Sequence, residues 1–416
     1  MNAQALCDAL GATGRVRDAA MRASERTAQV RYPAQEAVAA NVLRAFLDEG
    51  IAQSDLAPSA GYGYDDTARE RYESLFARIF GAQRALARLS LVSGTHAIVT
   101  AIEACVAPGE TLLSITGPPY DTLRSAIADA PDALVHRGIR YREIGLKSGA
   151  IDEEALREAL QRERVAAVFI QRSRGYAPRA SLCVAACERA AAAVKRASKR
   201  TLVLVDNCYG ELVEEREPSA CGADLVMGSL IKNPGGSLAP GGAYVAGRAQ
   251  LVERVASRHY APGLGGRVGP TYGFGRSLLQ GLFMAPLVVE QTLRGLDFAA
   301  ALFEELGFGV DPRCGARRSD IVQAIRLGSP EMLLRFAAGL QSAMPLDARF
   351  LPEPGAVPGY AVPVVMSSGA FVPGATIELS CDAPMREPYE VYLQGGVSTT
   401  HAAAGALLAA ARCVRG

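Results

Sequence analysis

The feature that most constrains this chain is a repeated alternation of short apolar runs with longer stretches of helical pattern, which begins after Gly81. Strands separated by helical segments of ten or more residues are typical of βαβ units, in which helices cover a parallel sheet. The sequence therefore predicts an α/β fold with a mostly parallel sheet. The predicted strands are 88–92, 111–115, 139–144, 166–171 and 202–205, and the intervening helices begin at Thr95 and Asp121 or cover 152–161 and 181–199.

The length of 416 residues predicts about two domains, because compact domains rarely exceed about 250 residues. We predict an N-terminal arm over 1–60 with one helical stretch at 36–46, and a large domain over 61–290. A mainly helical segment follows Gly281, and the chain then changes to strands, turns and prolines. This change predicts a small C-terminal α+β domain over 291–416 that closes on a helix at 402–411.

The charge and cysteine pattern excludes several classes of protein. The chain has 44 lysine and arginine residues against 43 acidic residues, so it lacks the basic surplus that favours nucleic-acid binding. No run approaches the about 18 consecutive apolar residues of a membrane span. Nine cysteines without a CxxC pair predict reduced core residues of a cytoplasmic protein, and four widely spaced histidines predict no metal site.

An acid and a lysine follow two apolar runs. Asp206 ends the run Leu202–Val205, and Lys232 lies in a glycine- and proline-containing loop after a second run at 225–227. Ligands of open α/β sheets bind at the carboxyl ends of the strands. Partial burial in such a loop predicts a lowered lysine pKa and an amine that acts as a Schiff-base nucleophile. The alternative is a surface lysine at a strand end.

A candidate anion site lies where a predicted strand meets a helix, at Ser93, Gly94 and Thr95. Backbone amides at a helix start, together with a hydroxyl, suit a phosphate group. Ser229 could add a second hydroxyl to the same anion. The alternatives are a capping role for Ser93 and a turn role for Ser229.

Several segments between about residue 60 and residue 396 resemble the fold-type I pyridoxal 5'-phosphate (PLP) enzymes, and among them the branch of aluminium-resistance and methionine gamma-lyase-related proteins. The resemblance implies the fold-type I PLP-dependent transferase fold, with a seven-stranded sheet in the large domain. It also implies a homodimer or homotetramer with shared active sites. The segments are GYGYDD, VSGTHAI, TGPPYDTL, VDNCYGELVE, GSLIKNPGG, LAPGGAYVAG, QGLFMAP, IELSCDAPMREPY and YLQGG.

The resemblance also implies roles for individual residues around the cofactor. Lys232 would form the Schiff base with PLP, and Asp206 would keep the pyridinium nitrogen protonated so that the ring accepts electrons. Tyr120 would stack on the ring, with helix-start packing as its alternative, and Tyr209 would hydrogen-bond the ring oxygen. The phosphate would be held by Ser93, Gly94, Thr95 and Ser229.

The resemblance further implies which residues contact the substrate. Arg386 resembles the arginine that grips the substrate carboxylate, with a surface ion pair to Glu387 as its alternative. Tyr62, Tyr64 and Arg69 resemble arm residues that reach a neighbouring subunit's site, with ordinary loop and helix packing as their alternative. At the position of Tyr260 the family that these segments resemble tends to have a smaller hydroxyl residue. Tyr260 would therefore narrow the pocket for the substrate side chain or act as an extra acid. His96 is a further candidate near the cofactor, although a histidine in a first helical turn is more often structural.

The function that this resemblance implies is a PLP-dependent lyase that catalyses γ- or β-elimination on an L-amino acid. The leaving group would be a thiolate, or a halide that leaves an unsaturated amino acid. An aminotransferase or γ-replacement transferase shares the acid, the lysine and the arginine, so it stays open as an alternative. A non-catalytic PLP-binding stress or regulatory protein is the second alternative.

Overall fold

The computed structural model describes residues 1–414, and the chain forms two compact units. One unit is Ala37–Phe283, and the other joins Met1–Glu36 to the segment from Met284 onward. The first 36 residues thus belong with the C-terminal segment, whereas the predicted boundaries lie at residues 60 and 290. Within residues 1–414, no helix combines the length and the apolar character that a membrane span requires.

The helices are α1 (Ala3–Leu10), α2 (Gly14–Thr27), α3 (Pro33–Glu49), α4 (Thr67–Ile79), α5 (Gly94–Cys105), α6 (Asp121–Arg124), α7 (Glu153–Arg162), α8 (Val184–Ala197), α9 (Ala249–His259), α10 (Gly275–Glu305), α11 (Pro330–Gln341) and α12 (Thr399–Val414). The strands are β1 (Arg84–Arg88), β2 (Thr111–Ser114), β3 (Arg140–Glu143), β4 (Leu146–Lys147), β5 (Ala150–Ile151), β6 (Val165–Gln171), β7 (Leu202–Asp206), β8 (Leu225–Ser229), β9 (Ala243–Gly247), β10 (Gly309–Asp311), β11 (Val322–Arg326), β12 (Pro354–Gly355), β13 (Val364–Ser368), β14 (Ser380–Pro384) and β15 (Glu390–Gln394).

The unit Ala37–Phe283 is built on a seven-stranded sheet in the order β1-β9-β8-β7-β6-β2-β3. The strands from β8 to β3 run parallel, and β9 pairs antiparallel with both β8 and β1. The predicted α/β fold with a mostly parallel seven-stranded sheet is confirmed. Apolar runs such as that of β7 form the buried middle of this sheet, where Phe169, Leu204 and Met227 are fully buried.

The other unit carries a six-stranded antiparallel sheet in the order β10-β11-β15-β14-β13-β12. Helices α11 and α12 pack closely, because a Cβ at Gly339 would lie 2.6 Å from the backbone of Ala409. The N-terminal helices belong to this unit as well: Arg15 donates to the carbonyl of Leu306 at 2.7 Å, and Arg22 pairs with Glu305 at 2.7 Å.

Two local predictions were wrong. The N-terminal segment holds three helices instead of one, and the first strand covers Arg84–Arg88 instead of 88–92. The predicted strand lies too far along the chain. The real strand ends at Arg88, a residue type that normally marks the surface but is buried here. Its guanidinium pairs with Glu73 at 2.5 Å and donates to the carbonyl of Gly266 at 2.8 Å, so its charge and donors are satisfied inside the protein.

Candidate active site

Three neighbouring parallel strands end at the same edge of the large sheet. In register, Gln171 of β6 lies beside Asp206 of β7, and Asp206 lies beside Met227 of β8. Strand β8 ends two residues later at Ser229, and Lys232 follows in the next loop. The edge therefore gathers an amide, a carboxylate and a lysine loop at the place where ligands of open α/β sheets bind.

Asp206 is 1% exposed, and its two carboxyl oxygens differ in their surroundings. Oδ1 accepts a hydrogen bond from the backbone nitrogen of Cys208 at 3.0 Å. Oδ2 is buried and has no hydrogen-bond partner within residues 1–414. Burial raises the pKa of Asp206, while the Cys208 hydrogen bonds and the charge of Lys232 act in the opposite direction. A buried acceptor without a donor suits a ligand that brings a positively charged N–H group.

Lys232 is the lysine that lies at this edge. The chain has four lysines: Lys147 and Lys199 are exposed, and the amine of Lys195 pairs with Asp224 at 2.6 Å. The Nζ atom of Lys232 lies 3.5 Å from the centroid of the Tyr209 ring.

The predicted lowering of the Lys232 pKa was wrong. Burial, the largest single effect, lowers the pKa of Lys232, but the Tyr209 phenol, the Cys208 thiol and Glu211 together raise it above its ordinary value. The sequence pattern indicated burial, which disfavours the charged amine, but not the acidic neighbours that favour it.

The N-terminus of α5 meets the ends of β7 and β8. A Cβ at Gly94 would lie 3.4 Å from Sγ of Cys208 and 3.5 Å from Cβ of Ser229, so these residues are in close contact. Ser93 caps α5, because its hydroxyl accepts from the backbone nitrogen of His96 at 3.1 Å. The hydroxyls of Thr95 and Tyr120 lie 2.7 Å apart. A helix start with small residues and hydroxyls here suits an anion.

Tyr120 is fixed from two sides. Its hydroxyl contacts that of Thr95, and its backbone nitrogen donates to Oε1 of Gln171 at 2.8 Å. Burial, and after it the charge of Asp206, raises the pKa of the Tyr120 phenol, so it keeps its proton at neutral pH. The structure thus gathers the predicted cofactor-binding residues: Ser93, Gly94, Thr95, Tyr120, Asp206, Tyr209, Ser229 and Lys232.

The predicted substrate-contacting residues belong to both compact units. Tyr62 and Tyr64 are 72% and 54% exposed and stack with ring centroids 5.7 Å apart. Tyr62 and Tyr260 line an open pocket of about 450 Å³. The Tyr260 hydroxyl lies 2.8 Å from that of Ser90. Arg386 is exposed and lies in the other compact unit, in the turn after β14.

Two further candidates have packing contacts of their own. Arg69 is 3% exposed and donates to the carbonyl of Gly269 at 3.0 Å, so its guanidinium is held within its own chain. This matches the packing alternative and not the reach toward a neighbouring subunit. The His96 ring accepts from the backbone nitrogen of Val92 at 3.3 Å and lies edge-on to His259 at 5.3 Å.

Comparisons with known proteins decide the family. The family model described as methionine gamma-lyase matches residues 15–414. The chain belongs to the methionine gamma-lyase family. The uncharacterized protein YnbB of Bacillus subtilis (strain 168) is 40% identical over 365 residues, which cover 86% of each chain.

Two solved structures of this kind resemble the whole chain. One, from Clostridium acetobutylicum, is named as a proposed cystathionine beta-lyase involved in aluminum resistance; it is 39% identical with a TM-score of 0.95, covering 99% of this chain and 98% of its own. The other, a carbon-sulfur lyase involved in aluminum resistance from Clostridium novyi, is 36% identical with a TM-score of 0.93, covering 99% of both chains. The chain therefore has the fold of the fold-type I PLP enzymes.

The residues at the sheet edge fit the cofactor that membership of the methionine gamma-lyase family implies. The buried Oδ2 of Asp206 is an acceptor that meets no donor among the residues that the structure describes, which suits a pyridinium N–H. The start of α5 supplies backbone amides for a phosphate, and Lys232 supplies an amine for a carbonyl.

The sequence reasoning missed three residues that shape this edge. Gln171 ends β6 as Asp206 ends β7, so the same strand-end argument would have found it. Asn233 and Glu211 are fully buried beside the lysine loop. No sequence signal marks them, because an asparagine in a glycine-rich loop and a glutamate after a turn are usually exposed.

Glu211 lies against β8. Its Oε1 accepts from the Tyr244 hydroxyl at 3.0 Å, and Oε2 is buried without a hydrogen-bond partner in the described part of the chain. A Cβ at Gly228 would lie 2.6 Å from Oε1, so the glycine makes room for the carboxyl group. Burial raises the pKa of Glu211 to about 8 from its ordinary value of 4.5, and that of nearby Glu217 to about 7.

We predict that Glu211→Gln flattens the pH dependence of stability. Between the ordinary pKa and about 8, the folded state keeps a proton that the unfolded state releases, so the free energy of unfolding falls as pH rises through this range. The amide does not titrate, so the variant should gain up to several kcal/mol relative to wild type from about pH 5 to about pH 8. Urea unfolding at these two pH values measures this gain.

The matched control is the exposed Glu154→Gln, which should leave the pH dependence as in wild type. Glu217 titrates in the same direction and remains in both variants, so the slope should be reduced and not abolished. An unchanged slope in Glu211→Gln would show that the carboxyl group is ionised at neutral pH.

Proposed function

We propose that this chain is a PLP-dependent carbon–sulfur lyase that eliminates a thiol from the γ or β carbon of an L-amino acid. The observation that carries the proposal is the sheet edge on which the amine of Lys232 lies together with the buried Oδ2 of Asp206, which has no hydrogen-bond partner among residues 1–414. Membership of the methionine gamma-lyase family and the carbon-sulfur lyase named among the similar structures support it.

Each residue of this edge has a task in such a reaction. Bound PLP would supply an electron sink for the pair that is released when the Cα–H bond of the substrate breaks. Asp206 would hold the proton on the ring nitrogen, since its Oδ2 has no competing donor in the described residues. Lys232 would bind the cofactor's carbonyl carbon and then move protons at Cα.

The surrounding residues would fix the cofactor. The amides at the start of α5, with the hydroxyls of Thr95 and Ser229, would bind its phosphate. Tyr120 would lie on the cofactor ring. Thr95 contacts its hydroxyl and Gln171 accepts from its backbone nitrogen, so the tyrosine is fixed in place. Arg386 would bind the substrate carboxylate through its planar guanidinium, a role that rests on the resemblance of its segment.

Product analysis with L-cystathionine and L-methionine tests the proposal. An elimination releases ammonia, a 2-oxo acid and a thiol in equal amounts without an amino acceptor. From cystathionine, β-elimination gives homocysteine and pyruvate, whereas γ-elimination gives cysteine and 2-oxobutyrate. Turnover that requires a 2-oxo acid acceptor would indicate an aminotransferase, and turnover that requires a second nucleophile would indicate γ-replacement. Cofactor binding without any turnover would favour a non-catalytic protein.

We also propose that the active form is at least a homodimer in which Tyr62 and Tyr64 complete the partner's site. These rings are exposed, yet the loop that carries them is held by its own chain. Gly269 donates to the carbonyl of Tyr62 at 2.7 Å, and Asp66 accepts from the backbone nitrogen of Thr271 at 2.7 Å. A fixed loop with two exposed aromatic rings suits insertion into a neighbouring subunit.

Mixing two inactive variants tests this assembly. Chains with Lys232→Ala and chains with both Tyr62→Ala and Tyr64→Ala should be weakly active alone. After unfolding and refolding together, half of the dimers should be mixed and one site in each should be intact, so activity should return to about a quarter of wild type. Mixed dimers that form by native mass spectrometry but stay inactive would contradict shared sites.

A further inference from the structure

Asn233, the residue after Lys232, connects the two loops of the candidate site. It is fully buried, and its side-chain Nδ2 donates to the carbonyl of Tyr209 at 3.0 Å and to that of Glu211 at 2.8 Å. Tyr209 and Glu211 belong to the loop after β7, whereas Asn233 belongs to the loop after β8. One amide group thus joins the loop of Asp206 to the loop of Lys232.

The turn that Asn233 holds has an unfavourable backbone. Tyr209 has φ 71° and Leu212 has φ 60°, in the left-handed region that non-glycine residues rarely adopt. Such conformations persist where the surrounding structure determines them. The two hydrogen bonds from Asn233 hold the carbonyl of Tyr209 itself and that of Glu211, the residue before Leu212, so they are a direct source of that constraint.

The lysine side of this connection is held as well. The backbone nitrogen of Gly235 donates to the carbonyl of Lys232 at 3.1 Å. A Cβ at Gly281 would lie 2.2 Å from the carbonyl oxygen of Gly235, so the start of α10 packs directly on the loop. The Asn233 link therefore joins two held loops, one that carries Tyr209 and one that carries Lys232.

We propose that Asn233 is a positioning residue that fixes the Tyr209 turn to the lysine loop and thereby holds the Tyr209 ring against the Lys232 amine. The ring centroid lies 3.5 Å from Nζ, a distance at which a cation is attracted to an aromatic face. The amine is thus held in one place before it meets a carbonyl group. The role of Lys232 in the reaction is part of the proposed function, but the position of its amine is not.

The test measures the Lys232 amine in the full-length protein after removal of PLP. Acetic anhydride labels neutral amines, and mass spectrometry of the digest reports the rate at Lys232, with the other three lysines as internal references. In Asn233→Ala the ring is released, the protonated amine loses this contact, and its pKa falls by about one unit, which makes labelling at pH 9 about tenfold faster. If Asn233→Ala does not fold, Asn233→Ser keeps one donor and should give a smaller increase.

A double-mutant comparison separates positioning from general loosening. In a Tyr209→Ala background, Asn233→Ala should change labelling no further, because the ring through which it acts is gone. The matched control is Gln341→Ala, since Gln341 also donates to two carbonyls, those of Asp347 and Ser368, at 3.1 and 3.0 Å. It should leave Lys232 labelling unchanged. An unchanged rate in Asn233→Ala, or an equal increase in both backgrounds, would overturn the proposal whether or not the protein is a lyase.

Discussion

Lys232→Ala should lower kcat by at least about a thousandfold, because it removes both the amine that binds the cofactor and the group that moves the proton at Cα. This loss lies at the upper end of the range of rate effects for a single acid–base group. We expect no other lysine to replace Lys232, since each of the other three is exposed or paired elsewhere. Steady-state assays of ammonia release measure the loss.

Lys195→Ala is the matched control for this loss. Its amine pairs with Asp224 and donates to the carbonyl of Thr201 at 2.8 Å, so its removal should affect stability and leave kcat close to wild type. Turnover within a few fold of wild type in Lys232→Ala would contradict the assignment of the amine.

Asp206→Asn should lower kcat by about a hundredfold to a thousandfold, the range for removal of one preorganised electrostatic group. The Cys208 backbone nitrogen donates to Oδ1, so the amide that replaces Asp206 must place its oxygen there. Its NH2 group then occupies the position of Oδ2. A donor replaces the acceptor that would face the ring nitrogen, so the ring loses its proton and the variant retains the cofactor less firmly.

Asp224→Asn controls for the loss of a buried carboxylate. Asp224 is 4% exposed and pairs with Lys195 and Arg248, so its neutralisation should lower the melting temperature and spare kcat. If Asp206→Asn keeps near wild-type kcat, or if both variants lose only stability, the electron-sink role of Asp206 is refuted.

The parts of the site that sequence could predict are those tied to strand ends. Asp206 follows an uninterrupted apolar run, and the register of β6, β7 and β8 brings the ends of these runs together. The alternation of strands and helices was sufficient for this, because parallel strands share one carboxyl edge.

The remaining contacts depend on side chains that do not follow the polarity pattern. Arg88, Glu211 and Asn233 are buried polar residues whose partners lie far along the chain or in another loop. A pattern of apolar and polar residues assigns them to the surface. For the same reason the pKa of Lys232 was predicted in the wrong direction, since the acidic Tyr209 and Cys208 are brought to it only by folding.

The most direct test of the account is to locate the lysine that carries the cofactor. Borohydride reduction fixes the carbonyl of bound PLP on the amine that holds it, and a peptide map then distinguishes the four lysines of the chain. We predict that the label lies on the peptide that contains Lys232. A label on Lys147, Lys195 or Lys199 would contradict the candidate site and the function proposed from it.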